Sequence, residues 1–160
     1  LKSFITQEVY GAQVSKNFYH YIDKENWMTE MVEPAAAPWS LARNNVLYIS
    51  NDKGTSWQKV REMDPVEPAD TASQIQQDRA ATVRNTNCTT EDLNGEMLEV
   101  LQGEYDMLNG MEGSIEEKMW LSLDKSWVPK SMMHLKMAGT ESKTIQLIEK
   151  MPELTLPMPE

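Results

Sequence analysis

Few side chains in this sequence have the types that acid–base, nucleophilic or metal chemistry uses. The histidines are His20 and His134, and neither stands in an HExxH or HxH spacing that would bring two imidazoles to one metal. No Gly-x-Ser-x-Gly elbow and no phosphate-binding glycine loop occurs. Glu116-Glu117 and Glu96 with Glu99 offer carboxylates, yet neighbours on a strand point to opposite faces, so Glu116 and Glu117 cannot act as a pair. Solvated charge accounts for them. Cys88 is the single cysteine and lacks a CxxC neighbour, which removes an internal disulfide framework and a zinc ribbon. A buried free thiol is expected there, with a reactive nucleophile as the alternative. Asn87-Cys88-Thr89 matches the glycosylation sequon, meaningful only in a secreted eukaryotic chain. The expectation is a protein that is not an enzyme and holds neither cofactor nor metal.

Ser50-Asn51-Asp52-Lys53-Gly54-Thr55-Ser56-Trp57 fits the pattern Ser-x-Asp-x-Gly-x-(Thr/Ser)-Trp, which resembles the Asp-box turns of sialidases and related propellers. Its physics is local. Asp52 can accept bonds from the turn backbone, Gly54 takes a positive φ, and Trp57 packs under the loop. Propellers carry several such boxes and this chain has one. A structural hairpin turn is therefore expected, with a glycan-related protein as the alternative.

The element best placed to carry function is Met119 to Met137. Met119, Leu121 and Leu123 alternate with Trp120, Ser122 and Asp124. After a connection over 124–129, Ser131, Met133, Leu135 and Met137 alternate with Lys130, Met132, His134 and Lys136. Period two on both arms predicts an antiparallel hairpin with one apolar face. That face is rich in methionine, which suits a groove accepting varied shapes and equally suits an ordinary sheet-on-helix core.

The rest of the chain supplies the sheet around it. Ser3–Tyr10 and Val14–Ile22 read as an opening hairpin, Trp27–Val32 as a third strand, and Val46–Ser50 with Ser56–Val60 as another hairpin across the Asp-box turn. Pro34 and Pro38 bound a loop, and Pro65-Val66-Glu67-Pro68 ends the first run of strands. An amphipathic helix is expected over 70–84, with Asp70 as its N-cap and Ala72, Ile75, Ala80 and Val83 as a narrow apolar stripe. Strands resume from Thr86, turn at Asp92-Leu93-Asn94-Gly95, and continue over Met97–Tyr105. After the central hairpin, Ala138-Gly139-Thr140 turns into a last strand, Lys143–Ile148. One domain over 1–151 is expected, followed by a Pro-rich tail over 152–160 that frays or lies along the surface.

Composition narrows the classes. The chain has 160 residues, 40% hydrophobic and 25% charged, enough for one core without metal or disulfide staples. No apolar run approaches the ~20 residues of a spanning helix. A net charge of −10 argues against nucleic acid and against an anionic lipid surface. A cationic patch on a protein partner remains compatible with it. The chain opens at Leu1 without an initiator methionine, and a targeting peptide removed beforehand is expected.

The order of pieces resembles the LolA-like/LppX-like superfamily of bacterial envelope proteins. The likeness rests on the opening hairpin ending in Tyr21-Ile22-Asp23 and on the Val46 to Val60 hairpin with Trp57. It continues through the helix after a proline-bounded loop and the Asn94-Gly95-Glu96 turn into a strand ending at Tyr105. Its most specific part is Lys118-Met119-Trp120-Leu121-Ser122 followed by Val128-Pro129-Lys130-Ser131. Trp127-Val128-Pro129 stands where the family usually has Gly-Leu-Pro. The resemblance implies an α+β fold, mainly antiparallel β, as a strongly curved half-barrel sheet with one main helix on its concave side. It also implies export to the periplasm or outer cell envelope, and an apolar face for a lipid or a lipoprotein acyl chain. The residues expected to line that face are Ile5, Phe18, Met119, Leu121, Leu123, Met133, Leu135 and Met137. A structural or protein-interaction domain with a self-filled core is the alternative.

Overall fold

The computed structural model describes residues 2–64, 69–108 and 110–159. The elements are β1 (Ser3–Tyr10), β2 (Ser15–Asp23), β3 (Asn26–Glu33), β4 (Trp39–Arg43), β5 (Val46–Ser50), β6 (Gln58–Glu62), α1 (Ala69–Ala80), β7 (Arg84–Leu93), β8 (Glu96–Asp106), β9 (Gly113–Ser122), β10 (Trp127–Met137) and β11 (Thr140–Lys150). The strands form one 11-stranded sheet in the order β6-β5-β4-β3-β2-β1-β11-β10-β9-β8-β7. It is open, with β6 and β7 each paired on one side only. The expected class, mainly antiparallel β with a single helix, is the one observed. By packing, the chain divides into two units, Leu1–Glu8 with Val14–Val66 and Ile148–Glu160, and Val9–Gln13 with Glu67–Leu147.

In the first unit, tight turns set the strand register. Asp23 Oδ1 accepts from the Glu25 amide and from Asn26 Nδ2, both at 2.9 Å, and closes the β2–β3 hairpin. Asn44 and Asn45 both take positive φ, 48° and 65°, between β4 and β5. Two consecutive left-handed residues match the twist of a two-residue hairpin, and asparagine tolerates them best after glycine. Strand β4 was absent from the sequence-based expectation, and this Asn-Asn pair between two short apolar runs is the signal that marks it.

Facing residues Met28, Leu41 and Tyr48 share one side of β3, β4 and β5. Met28 and Leu41 pack with Leu156, and Ile22, Tyr48 and Trp57 close around them. The Pro-rich tail, expected to fray or to lie along the surface, contributes Leu156 to this cluster. Leu154 and Leu156 are each only 6% exposed, because prolines deny this segment a ladder while its leucines still gain by burial.

In the second unit, α1 ends at Ala80 rather than at 84. The Thr82 hydroxyl donates back to the Arg79 carbonyl and accepts the Asp106 amide, each at 3.0 Å, so the chain leaves the helix by a turn and joins β7. Asp70 falls inside the helix rather than at its N-cap. The Pro65 to Pro68 segment lies outside the described residues. Strands β7 to β10 form a meander whose β7–β8 turn carries Asn94 and Gly95 at φ 54° and 84°.

Candidate functional site

Register decides which side chains of the second unit share a face, since directly opposed residues point the same way. Met119 lies opposite both Leu101 and Ser131, Glu117 opposite Gly103 and Met133, and Ile115 opposite Tyr105 and Leu135. Leu121 and Met137 continue the same side. This methionine face therefore gathers Leu101, Tyr105, Ile115, Met119, Leu121, Met133, Leu135 and Met137. Trp120, Lys118, Glu116, Lys130, Met132 and His134 project from the other, the tryptophan face.

The fully buried cluster belongs to the tryptophan face. Leu98, Val100 and Trp120 are 2%, 1% and 4% exposed, with Leu93 and Met132 packed around them. Of the two readings open for the methionine stripe, groove or core, neither places the closed cluster where it stands, on the opposite side of the sheet. Trp120 is buried beneath lysine ammonium groups, which the face of its indole attracts. Lys118 Nζ and Lys130 Nζ lie 4.6 and 4.3 Å from the indole centroid. Glu91 ties the arrangement together, accepting from Lys118 Nζ at 2.6 Å and from Trp120 Nε1 at 2.9 Å. Those two hydrogen bonds, the lysine's first, hold the Glu91 carboxyl below its ordinary value. Further along, Glu116 accepts from Lys136 and Gln102 at 3.0 and 2.8 Å, and is held low chiefly by the Lys136 bond.

The methionine face is different in kind. Leu101 and Met133 are each 39% exposed, and the other aliphatic members are half-buried. A pocket of 210 Å³ opens on it, lined by Val83, Thr86, Leu101, Gln102, Gly103, Tyr105, Glu117 and Met119. Val83, just after α1, is one of its walls, and Arg79 of the last helical turn lies over the Tyr105 ring at 5.6 Å. At its polar end the Tyr105 hydroxyl donates to Glu117 at 3.0 Å. Burial, then the Glu117 charge, pushes the tyrosine up to about 12, so it stays a neutral donor. Gly103 floors the pocket. A Cβ there would sit 3.6 and 3.8 Å from Thr86 and Val83, filling part of the space.

Of the residues expected to line a ligand face, Met119, Leu121, Met133, Leu135 and Met137 share this surface. Leu123 does not continue the strand. It opens a 3-10 turn over Leu123–Lys125 and is 64% exposed. Ile5 and Phe18 belong to the first unit, on opposite sides of its sheet. Phe18 packs in a tilted pair with Phe4, centroids 5.3 Å apart, one residue from Ile5, while Gln7, on the Ile5 side, donates to Asn17. The sequence reading missed Leu101, Tyr105 and Val83. Their period-two or helix-end positions are visible in the sequence, but their meeting at one pocket depends on the β8–β9 register.

The residues weighed for chemistry are dispersed. His20 Nε2 lies 2.7 Å from Glu30 in the first unit, and His134 lies 3.5 Å from Glu141 and 3.9 Å from Glu116 in the second. Among the described residues no group of three His, Cys, Asp or Glu side chains is placed to hold a metal. Cys88, expected to be buried, is exposed on β7, because an edge strand with polar neighbours offers no core to a small side chain. The Asp-box motif folds as its residues dictate. Asp52 accepts from Ser50 at 2.7 Å and from the Ser56 hydroxyl and amide at 2.6 and 2.8 Å. These bonds, Ser56's first, lower its carboxyl to about 2. Gly54, at φ 86°, has the Trp39 ring where a Cβ would be, at 3.1 Å.

No protein-family model matches the chain, and no curated sequence matches it. No helix among the described residues is long and apolar enough to cross a membrane. Among solved structures the chain is similar to a LolA superfamily protein from Nitrosomonas europaea, over 98% of this chain and 87% of that one, with 11% identity and a TM-score of 0.37.

Proposed function

We propose that the protein binds an apolar ligand, a lipid or a lipoprotein acyl chain, on the methionine face of its second unit, and that it works by carriage rather than catalysis. The observation that supports this most is the separation of duties between the two faces. Leu98, Val100 and Trp120 form a closed cluster on one side, while eight large apolar side chains share the other, where Leu101, Tyr105 and Met119 line a 210 Å³ pocket. Methionines suit a surface that must adapt to flexible chains, because the unbranched thioether changes rotamer at low cost. The pocket is smaller than the ~300 Å³ lower bound usual for drug-sized ligands. A single chain laid along the face, with one end in the pocket, fits it better than an enclosed bulky ligand. Burying roughly 150 Å² of apolar surface in this way contributes about 4 kcal/mol. A place in the periplasm or outer cell envelope goes with such a role.

Native mass spectrometry of gently purified protein tests the proposal, with a co-purified lipid as the expected result. In parallel, delipidated protein is titrated with fatty acids and lysophospholipids in thermal melts. Binding at a hundredfold excess over Kd adds about 2.7 kcal/mol by linkage. A melting temperature that no amphiphile raises, together with lipid-free mass spectra, sinks the proposal.

A further inference from the structure

We propose that the hollow between the Asp-box turn and the C-terminal tail binds an organic monocarboxylate, with Arg43 as its counter-ion and Met158 as the side chain it displaces. The site lies within the first unit and shares no residue with the methionine face. Its volume is 410 Å³, and its walls are Gly54, Thr55, Ser56, Trp57, Pro157 and Met158. That falls in the roughly 300–1,000 Å³ range of small-molecule sites.

Two donors here are unmet. The Trp57 indole N–H is buried and has no acceptor among the described residues, and the same holds for the Arg43 Nε–H. Other indoles of the chain do have one: Trp39 donates to the Met31 carbonyl at 3.3 Å and Trp120 to Glu91 at 2.9 Å. A buried donor without an acceptor weakens the fold until an acceptor arrives. The charge of Arg43 is unmet as well, since no carboxylate among the described residues pairs with it. Its Nη2 lies 3.1 Å from the Met158 thioether, which is a weak acceptor and carries no charge. A carboxylate offers two oxygens in the plane of the guanidinium fork and charge-assisted bonds about twice as strong as neutral ones, so it displaces the sulfur.

The surroundings select the ligand's charge and shape. Asp52 is bonded to the Ser56 hydroxyl and amide and so places a negative charge behind the Ser56 wall. One arginine beside that charge suits a ligand with a single negative charge rather than the roughly two of a phosphate. Trp57 and Pro157 offer apolar surface to the body of the acid. The tail is built to let Met158 move. Upstream it is fixed, with Lys2 Nζ donating to the Leu154 carbonyl at 2.9 Å and Leu156 buried. Beyond Leu156 the Arg43 contact is its hydrogen bond among the described residues, and Met158 is 69% exposed. Rotation of this flexible side chain frees Arg43 Nη2 while Leu156 stays in place.

The test titrates the full chain with phenylacetate and follows the Trp57 indole N–H by NMR, the signal being identified by its loss in Trp57→Phe. Phenylacetate is expected to shift it saturably, and the neutral phenylacetamide and inorganic phosphate to leave it in place. Arg43→Gln is expected to weaken phenylacetate binding at least about tenfold. Met158→Ala is expected to tighten it about threefold or more, because nothing has to be displaced. A Trp57 signal that stays in place in both the native protein and Met158→Ala overturns the site. Equal binding of phenylacetamide or phosphate, or native affinity in Arg43→Gln, overturns the role of Arg43. Unchanged or weaker binding by Met158→Ala overturns the displacement. The Met158→Ala comparison does not depend on how well Arg43→Gln folds, since the methionine is exposed.

Discussion

The two faces of the β8–β10 sheet end in opposite states: the one with fewer apolar residues is closed, and the one with more is open. On the tryptophan face one indole, two aliphatic neighbours and the ammonium groups of Lys118 and Lys130 close a compact cluster, with Glu91 satisfying the indole N–H and one ammonium. On the methionine face, flexible side chains lie side by side without a comparable cap, and Leu101 and Met133 keep 39% of their surface exposed. The difference teaches that charge next to an aromatic residue can complete a core, whereas a purely apolar stripe needs an occupant to complete it. Two ammonium groups are drawn onto the indole face and one is paired with Glu91; methionine has no such attraction to offer.

The strongest way to break this comparison is at Trp120. Trp120→Ala is expected to cost about 3–5 kcal/mol, through a cavity that Leu98 and Val100 cannot fill, measured by urea denaturation. Equal losses from Met133→Ala would erase the distinction between the faces. Next in size comes the functional counterpart. Met133→Glu and Leu101→Glu place a solvated charge on an already exposed position and are expected to change stability by less than about 1 kcal/mol. Both abolish the amphiphile-induced rise in melting temperature; a full rise in either variant moves the ligand elsewhere.

Two acid-range measurements sharpen the comparison further. The Glu91 carboxyl is depressed below the ordinary 4.5 in the folded protein, so its contribution is present above about pH 4.5 and is lost as pH falls through the folded value. Glu91→Gln is expected to flatten the fall of stability with pH in that window, and to expose Trp120 to fluorescence quenchers. An unchanged acid profile would separate Glu91 from the closure of the indole. The smallest effect belongs to the Asp-box turn. Asp52, lowered from 3.8 to about 2, contributes above pH 3.8 and loses that contribution as pH falls towards 2. Asp52→Asn should therefore be less stable than the native protein at neutral pH, with the two converging in strong acid.

Much of the scaffold was legible without coordinates. Ser3–Tyr10 and Val46–Ser50 are the strands their β-branched and aromatic residues and bounding turns predict, and β7–β8 turns where Asn94-Gly95 stands. Glycine and asparagine mark these points because they alone enter the left-handed region cheaply. The helix was legible in kind but not in length, since its end depends on Thr82 bonding to Asp106, a residue far along the chain. Of the ligand face, Met119, Leu121, Met133, Leu135 and Met137 could be grouped from periodicity. Ile5, Phe18 and Leu123 could not be excluded from it, because strand ends and the facing of separate strands are set by pairing.

The sequence by itself determined that Met119 to Met137 is a two-faced hairpin and, its turn with Leu123 apart, which residues fall on each face. Period-two alternation is a property of the backbone, so it needs no partner to be read. Only the tertiary structure decided that the closed cluster forms beside Trp120 and that a pocket lined by Met119 opens on the other side. Alternation divides a strand into two sides without saying which side another element will meet, and that choice is made by the total burial and hydrogen bonding of all the strands together.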